Sequence, residues 1–186
     1  MSQRNALATA IATLAALDHI KSKELYMENY YDPKVNHFCV KGAVYEHHAP
    51  KKDRIMTFFN KYVKEVGLEK AKETFDNDQA GRDDVDPRDF LANNFDEEIL
   101  DSIEQQGFGA RNGITSQSVA NDTHQKNEGN SAAIRKKTYK QVRAFTVALI
   151  ASLEVKEQFD KVVAKLAKVT IDPYNYYHPL FLRNHD

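Results

Sequence analysis

The chain has 186 residues, a mass of 21.2 kDa, a formal net charge of −1 and a single cysteine. Hydrophobic residues make up 41% and charged residues 28%, which excludes a disordered or fibrous protein and is typical of a globular one. One cysteine excludes an internal disulfide, and no apolar run approaches the ~18 residues of a membrane-spanning helix. The N-terminus lacks the continuous apolar block of a signal peptide. We therefore expect a soluble cytoplasmic protein with no membrane partner.

Hydrophobic periodicity predicts an amphipathic helix near the start of the chain, over residues 4–21. Its apolar side chains recur at steps of three and four and therefore share one face. The predicted buried face consists of Leu7, Ile11, Leu14, Leu17 and Ile20. The period breaks over residues 25–35, where a loop or a small strand is expected. Residues 37–48 then fit a short helix.

Further helices are predicted up to about Gln106. Residues 51–66 carry a broad apolar stripe and end at Gly67, because glycine readily adopts the backbone conformation that terminates a helix. A short helical piece, LEKAKETF, follows. After a polar, acidic turn, Asp86 is expected to cap the next helix and Pro87 to open it, since proline is favoured at the first helical position. This single helix is predicted to run to about Gln106.

The C-terminal part of the chain begins with a change of composition. Residues 107–130 contain four of the seven glycines and many Asn, Ser, Gln and Thr residues, which predicts a long loop or partly disordered segment. From residue 131 to 169 the chain has no Gly or Pro and predicts one long helix, or two helices with a bend near residues 152–155. Its first apolar stripe consists of Ile134, Val142, Phe145, Leu149, Ile150 and Leu153. Its second consists of Val155, Phe159, Val162, Val163, Leu166 and Val169. The remaining residues to 186 form an aromatic tail that we expect to be extended.

The predicted fold is therefore mainly α, an irregular bundle of five to six helices. It comprises an N-terminal helical region over 1–106, the loop over 107–130, and the long helix with its tail over 131–186, all in one compact domain. Charge follows these regions, because residues 67–107 carry a net charge of −9 and residues 108–186 carry +5. Such asymmetry is typical of a surface that meets a charged partner, or of two segments that neutralise each other.

Two short patterns resemble those of an uncharacterised family of small helical bacterial and phage proteins. Members carry a C-A-x-G-A-L helix and a W-N-D-x-x-x-R-T turn. The matching residues are Cys39, Gly42 and Ala43 in the first pattern and Asn77, Asp78 and Arg82 in the second. Phe75 lies near the place of the Trp, and Asp83 stands in place of the Thr. The resemblance covers residues 7–103 and implies an α fold and a bacterial or phage origin, with no established chemistry.

Cys39 is a candidate catalytic nucleophile. It lies near a predicted helix N-terminus, where the helix dipole lowers the pKa of a thiol. A histidine base would have to come from another segment such as that of His19, because His47 lies about 12 Å along the helix axis. The alternative is a small buried core residue, the more common role of a cysteine flanked by Phe38 and Val40.

The acidic turn is a candidate site for a divalent cation. Ca²⁺ and Mg²⁺ prefer carboxylate oxygens, and five aspartates occur close together here. They are Asp76, Asp78, Asp83, Asp84 and Asp86. The turn is not an EF-hand, since Ala80 and Pro87 stand where two ligands are required, so only weak binding of Ca²⁺ or Mg²⁺ is expected. The alternative is that these side chains cap the local backbone.

The predicted start of the long helix is basic. Five cations surround one tyrosine, an arrangement that binds phosphate and allows the ring to stack on a base. These residues are Arg135, Lys136, Lys137, Tyr139, Lys140 and Arg143. The pI of about 6.7 is far below the value of about 9 that is usual for a nucleic-acid-binding domain. An acidic partner is therefore favoured, such as the acidic segment of residues 76–104.

No common nucleotide-binding or hydrolase motif occurs in the chain. We therefore expect a non-enzymatic helical protein, of accessory or inhibitor type, that binds another protein. One form of this interpretation is a homodimer in which the long C-terminal helix pairs with its copy. The alternatives are a small enzyme that uses Cys39 and a protein that binds a divalent metal or nucleic acid.

Overall fold

The structure is a computed structural model that describes residues 5–20, 25, 30–76, 86–112 and 128–169, with the backbone alone at 107–112, 128–137 and 169. The described residues are mainly helical, which confirms the mainly α prediction. The chain divides into two compact units, Met1–Ile150 and Ala151–Asp186. In the described part of the chain, no helix is both long enough and apolar enough to cross a membrane.

Seven α-helices and a two-stranded sheet make up the described elements. The helices are α1 (Ala6–His19), α2 (Val40–His48), α3 (Ile55–Val66), α4 (Leu68–Thr74), α5 (Pro87–Asn94), α6 (Glu97–Asn112) and α7 (Glu128–Val169). The strands are β1 (Tyr31–Asp32) and β2 (His37–Phe38), and a 3₁₀ turn covers Lys51–Asp53.

The two strands form an antiparallel hairpin, which confirms the small strand expected in this region. Tyr31 pairs with Phe38, and Asp32 pairs with His37. The connecting turn places Asn36 at a φ of 58°, where its side chain accepts a hydrogen bond of 2.9 Å from the Tyr31 hydroxyl. Because residues 37 and 38 belong to the sheet, α2 begins only at Val40, later than the predicted 37–48 helix.

The predicted buried face of the first helix is wrong. Ile11 is 48% exposed, and Leu7 and Leu14 are only half-buried, although Leu17 is fully buried. The buried side of α1 is instead made of small side chains: Thr9, Ala10, Ala12, Thr13 and Ala16, beside Leu17. Small side chains let α1 approach α2 closely, so packing distance and not hydrophobicity decides which face is buried.

Several helix boundaries follow the sequence rules. Gly67 ends α3 with a φ of +88°, a conformation that glycine adopts without strain. Asp86 caps α5 by accepting a hydrogen bond of 2.9 Å from the Arg88 N–H, and Pro87 opens that helix, as predicted. The single helix predicted up to Gln106 is two, because α5 ends at Asn94 and α6 starts at Glu97.

The predicted loop of residues 107–130 is wrong at both of its ends. Helix α6 continues to Asn112 and α7 begins at Glu128. Glycines at 107 and 109 each disfavour a helix by about 1 kcal/mol relative to alanine, which is too little to end one already formed. Residues 113–127 and the aromatic tail after Val169 lie outside the described residues. The segment predicted as one long helix or two forms one continuous helix, α7.

Two apolar clusters form the core of the first unit. The larger one lies between α1 to α6 and includes the fully buried Tyr45, Ile55, Phe95 and Leu100. Aromatic rings within it meet edge to face, as in the pair of Tyr45 and Phe90 at 5.3 Å between centroids. The smaller cluster packs the first part of α7 against α1 and α6. It contains Leu17, Leu25, Val40, Ile103, Tyr139 and Val142.

Candidate functional site

The candidate nucleophile Cys39 is the N-cap of α2. Its Sγ accepts a hydrogen bond of 3.2 Å from the Gly42 N–H, and the side chain is buried. Serine, threonine and aspartate commonly hold this position because their side-chain oxygens satisfy a helix N–H that has no partner in the helix. Here the sulfur performs the same local task, which is a structural role.

A carboxylate from another helix occupies the same end of α2. Glu104, on α6, accepts a hydrogen bond of 3.1 Å from the Lys41 N–H through Oε2, and it also accepts one from the Val40 N–H. The Lys41 ammonium lies 2.5 Å from Asp101, one turn earlier on α6. The N–H groups that make a helix start attractive to an anion are therefore already paired with this protein's own carboxylate.

The thiol at this position is difficult to ionise. Burial raises the pKa of Cys39 well above its ordinary value, and the charge of Glu104 raises that pKa further. The hydrogen bond from Gly42 and the charge of Lys41 lower it by less. A nucleophilic thiolate requires a lowered pKa, whereas the pKa of Cys39 is raised. Burial and the neighbouring anion outweigh the favourable effect of the helix dipole on the thiolate.

Gly42 and Ala43, which match the C-A-x-G-A-L pattern together with Cys39, also have packing roles. A Cβ on Gly42 would lie 1.9 Å from the backbone oxygen of Tyr30, so only glycine fits where the chain crosses α2. Ala43 is buried in the larger core cluster. Cys39, Gly42 and Ala43 thus form one side of α2 that faces the protein interior.

The chain has no match among known protein families, curated proteins or solved structures. The resemblance to small bacterial and phage proteins therefore stays a prediction.

The structure describes two of the five aspartates in the candidate cation site. Asp86 caps α5, and its Oδ1 lies 3.6 Å from the Arg88 Nε. Asp76 follows α4, while Asp78, Asp83 and Asp84 lie outside the described residues. In the described residues, no group of three or more His, Cys, Asp or Glu side chains could hold a metal ion. The local capping role is thus established for Asp86, and the cation site stays a prediction.

The basic start of α7 does not present its tyrosine to a ligand. Tyr139 is buried, and its hydroxyl donates a hydrogen bond of 2.9 Å to the carbonyl oxygen of Leu17. The ring is therefore not available to stack on a base, because it packs in the smaller core cluster and its hydroxyl bonds to α1. Arg135, Lys136 and Lys137 belong to the backbone-only part of the helix.

The cation that follows this tyrosine also has an internal partner. Arg143 donates two hydrogen bonds to the carboxylate of Asp18 on α1. Its Nε lies 2.7 Å from Oδ1, and its Nη2 lies 3.4 Å from Oδ2. The acidic partner that the structure shows for this cation is therefore Asp18, on α1. Lys140 is exposed to solvent.

A histidine cluster was not predicted from the sequence. His19 of α1 and His47 of α2 have ring centroids 4.6 Å apart, and His47 and His48 are also 4.6 Å apart. Nε2 of His48 lies 2.8 Å from the Ala12 oxygen. Burial lowers the pKa of His47, and the nearby His48, His19 and Arg54 lower it further. No sequence pattern connects positions 19 and 47, because only the packing of α1 on α2 brings them together.

Two of the small clefts in the described part of the first unit bear on a ligand site. One, of about 190 Å³, lies beside α3 and α4 and is lined by Phe58, Tyr62 and Phe75. The other, of about 280 Å³, lies beside Tyr30 and the pair of Lys41 and Asp101. Both volumes are below the ~300 Å³ at which ligand pockets usually start. Neither cleft adds support for a substrate site near Cys39.

The second unit contains an apolar surface that the sequence predicts as a helix stripe. The side chains are exposed by 69% at Val155, 65% at Phe159, 53% at Val162 and 56% at Leu166. These four residues, called the α7 row below, follow each other at steps of four, three and four. Val163 lies beside them and is 45% exposed. Because periodicity alone shows that a face is apolar and not what covers it, the exposure of this stripe could not be predicted.

Proposed function

We propose that this chain is a non-enzymatic helical protein of accessory or inhibitor type, located in the cytoplasm, that acts by binding another protein chain through the α7 row. The observation that carries the proposal is the exposure of four large apolar side chains in line on one helix. Single exposed apolar residues are ordinary, whereas a contiguous apolar patch is typical of an interaction surface. Aromatic and aliphatic side chains of this kind dominate the central part of protein interfaces.

The competing functions have weaker support. An enzyme that uses Cys39 would need a reactive thiolate, but the side chain is buried and its pKa is raised. A nucleic-acid surface at the start of α7 would need Tyr139 exposed, but this ring is buried. Weak binding of Ca²⁺ or Mg²⁺ at the acidic turn stays a prediction, and the proposed function requires no cofactor.

The test is quantitative co-purification from the source cells with a tagged chain. We expect a double variant with Phe159→Glu and Val162→Glu to lose a protein that the wild type retains, including untagged copies of this chain. The matched control is Glu157→Ala with Lys161→Ala, which removes an exposed ion pair of 3.9 Å outside the row. The control should retain the same proteins, because exposed pairs of this kind contribute well under about 1 kcal/mol.

Folding of the row variant is checked separately by circular dichroism and thermal unfolding. Both substitutions replace exposed side chains, so we expect the helical signal to be unchanged. If the row variant and the wild type retain the same proteins to the same extent, the α7 row is not the binding surface and the proposal is wrong.

A further inference from the structure

We infer that the partner of the α7 row is a second copy of this chain, and that the two α7 segments pair in antiparallel orientation. The inference rests on the proposed function, since it identifies the chain that the row binds. It is carried by two observations in the second unit: the spacing of the exposed apolar side chains and the distribution of charge along the same helix segment.

The spacing is that of a two-helix seam. Apolar residues at alternating steps of three and four keep one face of a helix directed at a partner helix along its length. In an antiparallel pair, Val155 of one copy lies level with Leu166 of the other, and Phe159 lies level with Val162. Because the row is symmetrical about its centre, each large side chain meets another from the second copy. The contact is then the same patch on both copies, as twofold symmetry requires.

The charges on this segment favour the antiparallel orientation. Residues 151–160 carry a net charge of −2, and residues 161–168 carry +3. The acidic part contains Glu154, Glu157 and Asp160, with Lys156 as its one cation; the basic part contains Lys161, Lys165 and Lys168. A parallel pair would place each part beside the part of the same sign. An antiparallel pair places the acidic part of one copy beside the basic part of the other.

The register that pairs the apolar side chains also pairs the charges. With Phe159 level with Val162 of the second copy, Glu154 lies about 3 Å along the axis from Lys165 of that copy, and at 3.6 residues per turn both side chains lie on the same flank of the row. Glu157 and Lys161 lie on the opposite face of the helix. Glu154 and Lys165 flank the seam, so their attraction acts over a distance comparable with the ~10 Å screening length at 0.1 M salt. Antiparallel helix dipoles add a further favourable term. Self-complementarity of both charge and apolar spacing is what selects a second copy among protein partners.

The first measurement is the mass of the purified full-length protein by sedimentation equilibrium over a range of concentrations. We expect a reversible dimer in the micromolar range, as befits a short two-helix contact. Phe159→Glu should weaken association by more than about 100-fold, because it places a charge in the seam. The double variant Glu157→Ala with Lys161→Ala should change the association constant by less than about tenfold.

Orientation is measured by distances between spin labels in the full chain. A Cys39→Ser background removes the native thiol while keeping an N-cap side chain on α2. Labels at Glu154→Cys and Lys168→Cys are then introduced on separate copies and mixed. In an antiparallel dimer the 154-to-168 distance is short, and two labels at 154 are offset by about 20 Å along the axis at 1.5 Å per residue. In a parallel dimer the 154-to-154 distance is short, and the labels at 154 and 168 are offset by about 20 Å along the axis.

A dimer with short 154-to-168 distances supports the inference. A dimer with short 154-to-154 distances overturns the orientation. A protein that stays monomeric overturns the inference altogether, whether its row is covered by residues 170–186 or by a different protein. In that case the proposed function still stands if the row variant loses a protein that the wild type retains from cells, so the two failures are distinguishable.

Discussion

We expect the substitution of Gly42 by alanine to destabilise the protein, although it adds only one carbon atom. Substitution by alanine adds a Cβ that would lie 1.9 Å from the Tyr30 oxygen and 2.6 Å from its carbonyl carbon. An ordinary carbon–oxygen contact is about 3.3 Å or longer, so the two backbones would have to separate by about 1.4 Å. Both sides of the contact are backbone, and neither can rotate away.

The expected magnitude combines two opposing effects. Alanine favours a helix over glycine by about 1 kcal/mol. Overpacking of a buried contact costs about 1–3 kcal/mol, and we take the upper end because the adjacent Tyr31 is buried in the core and would have to move too. We therefore expect Gly42→Ala to lower the free energy of unfolding by about 2 kcal/mol. For a chain of this size the midpoint of thermal unfolding should fall by about 4–8 °C.

Thermal and urea unfolding measure this effect, and Gly67→Ala is the matched control. The control makes the same chemical change where no atom lies within 4 Å of the new Cβ, so its cost comes only from the positive φ. NMR spectra distinguish the two causes, because only Gly42→Ala should shift the amide signals of Tyr30 and Tyr31. A Gly42→Ala protein as stable as the wild type would refute the close crossing of α2 by this segment.

The polar groups of Cys39, Tyr139 and His47 allow three more predictions. Iodoacetamide should modify Cys39 slowly in the native protein at neutral pH and rapidly once urea unfolds it, because burial raises the thiol pKa; rapid native labelling would contradict the structural role. Tyr139→Phe should lower the free energy of unfolding by about 1 kcal/mol, since it removes the hydrogen bond to the Leu17 oxygen, and an unchanged urea midpoint would show that this bond does not form. The pKa of His47 in the folded protein is lower than its ordinary value of 6.5, so the unfolded chain binds the proton more tightly. The stability that neutral His47 contributes above pH 6.5 is therefore lost as the pH falls below 6.5. His47→Gln should make thermal unfolding less sensitive to pH between about 7.5 and 5, and parallel curves for the two proteins would contradict this assignment.

The helix boundaries show what local sequence can predict. Asp86 with Pro87 and Gly67 act through their own backbone and nearest neighbours, so the rules for them need no tertiary information. The predicted C-terminal end of α6 and the predicted start of α7 are wrong, because glycine and polar residues only lower the stability of a helix. Composition alone does not show where that weakening becomes sufficient to end it.

The buried face of α1 shows what local sequence could not predict. Periodicity selected the largest apolar side chains, whereas the structure buries a face of alanine and threonine against α2. The threonine hydroxyls remain paired there, since the Thr9 oxygen accepts a hydrogen bond from the Asp96 N–H and Thr13 donates one to the Thr9 carbonyl oxygen. Such a face is stable only because specific partners from other elements lie opposite it.

The candidate site at Cys39 fails for a related reason. From the sequence, a helix N-terminus predicts a lowered thiol pKa, because the dipole stabilises a negative charge there. That prediction assumes that no other anion reaches the helix end. Glu104 does reach it, from a helix more than 60 residues away in the chain. Its carboxylate accepts hydrogen bonds from the Val40 and Lys41 N–H groups, and its charge raises the pKa of the thiol.

The α7 helix connects these observations with the proposed function. The first and second apolar stripes of α7 have the same kind of periodicity, so the sequence alone does not distinguish a buried stripe from an exposed one. In the first unit that stripe contributes Val142 to a buried cluster, whereas in the second unit Phe159 and its neighbours are exposed. Exposed apolar side chains in a row lower the free energy of the protein only when another chain covers them. The difference in exposure between two equivalent patterns is the observation on which the proposed binding surface rests.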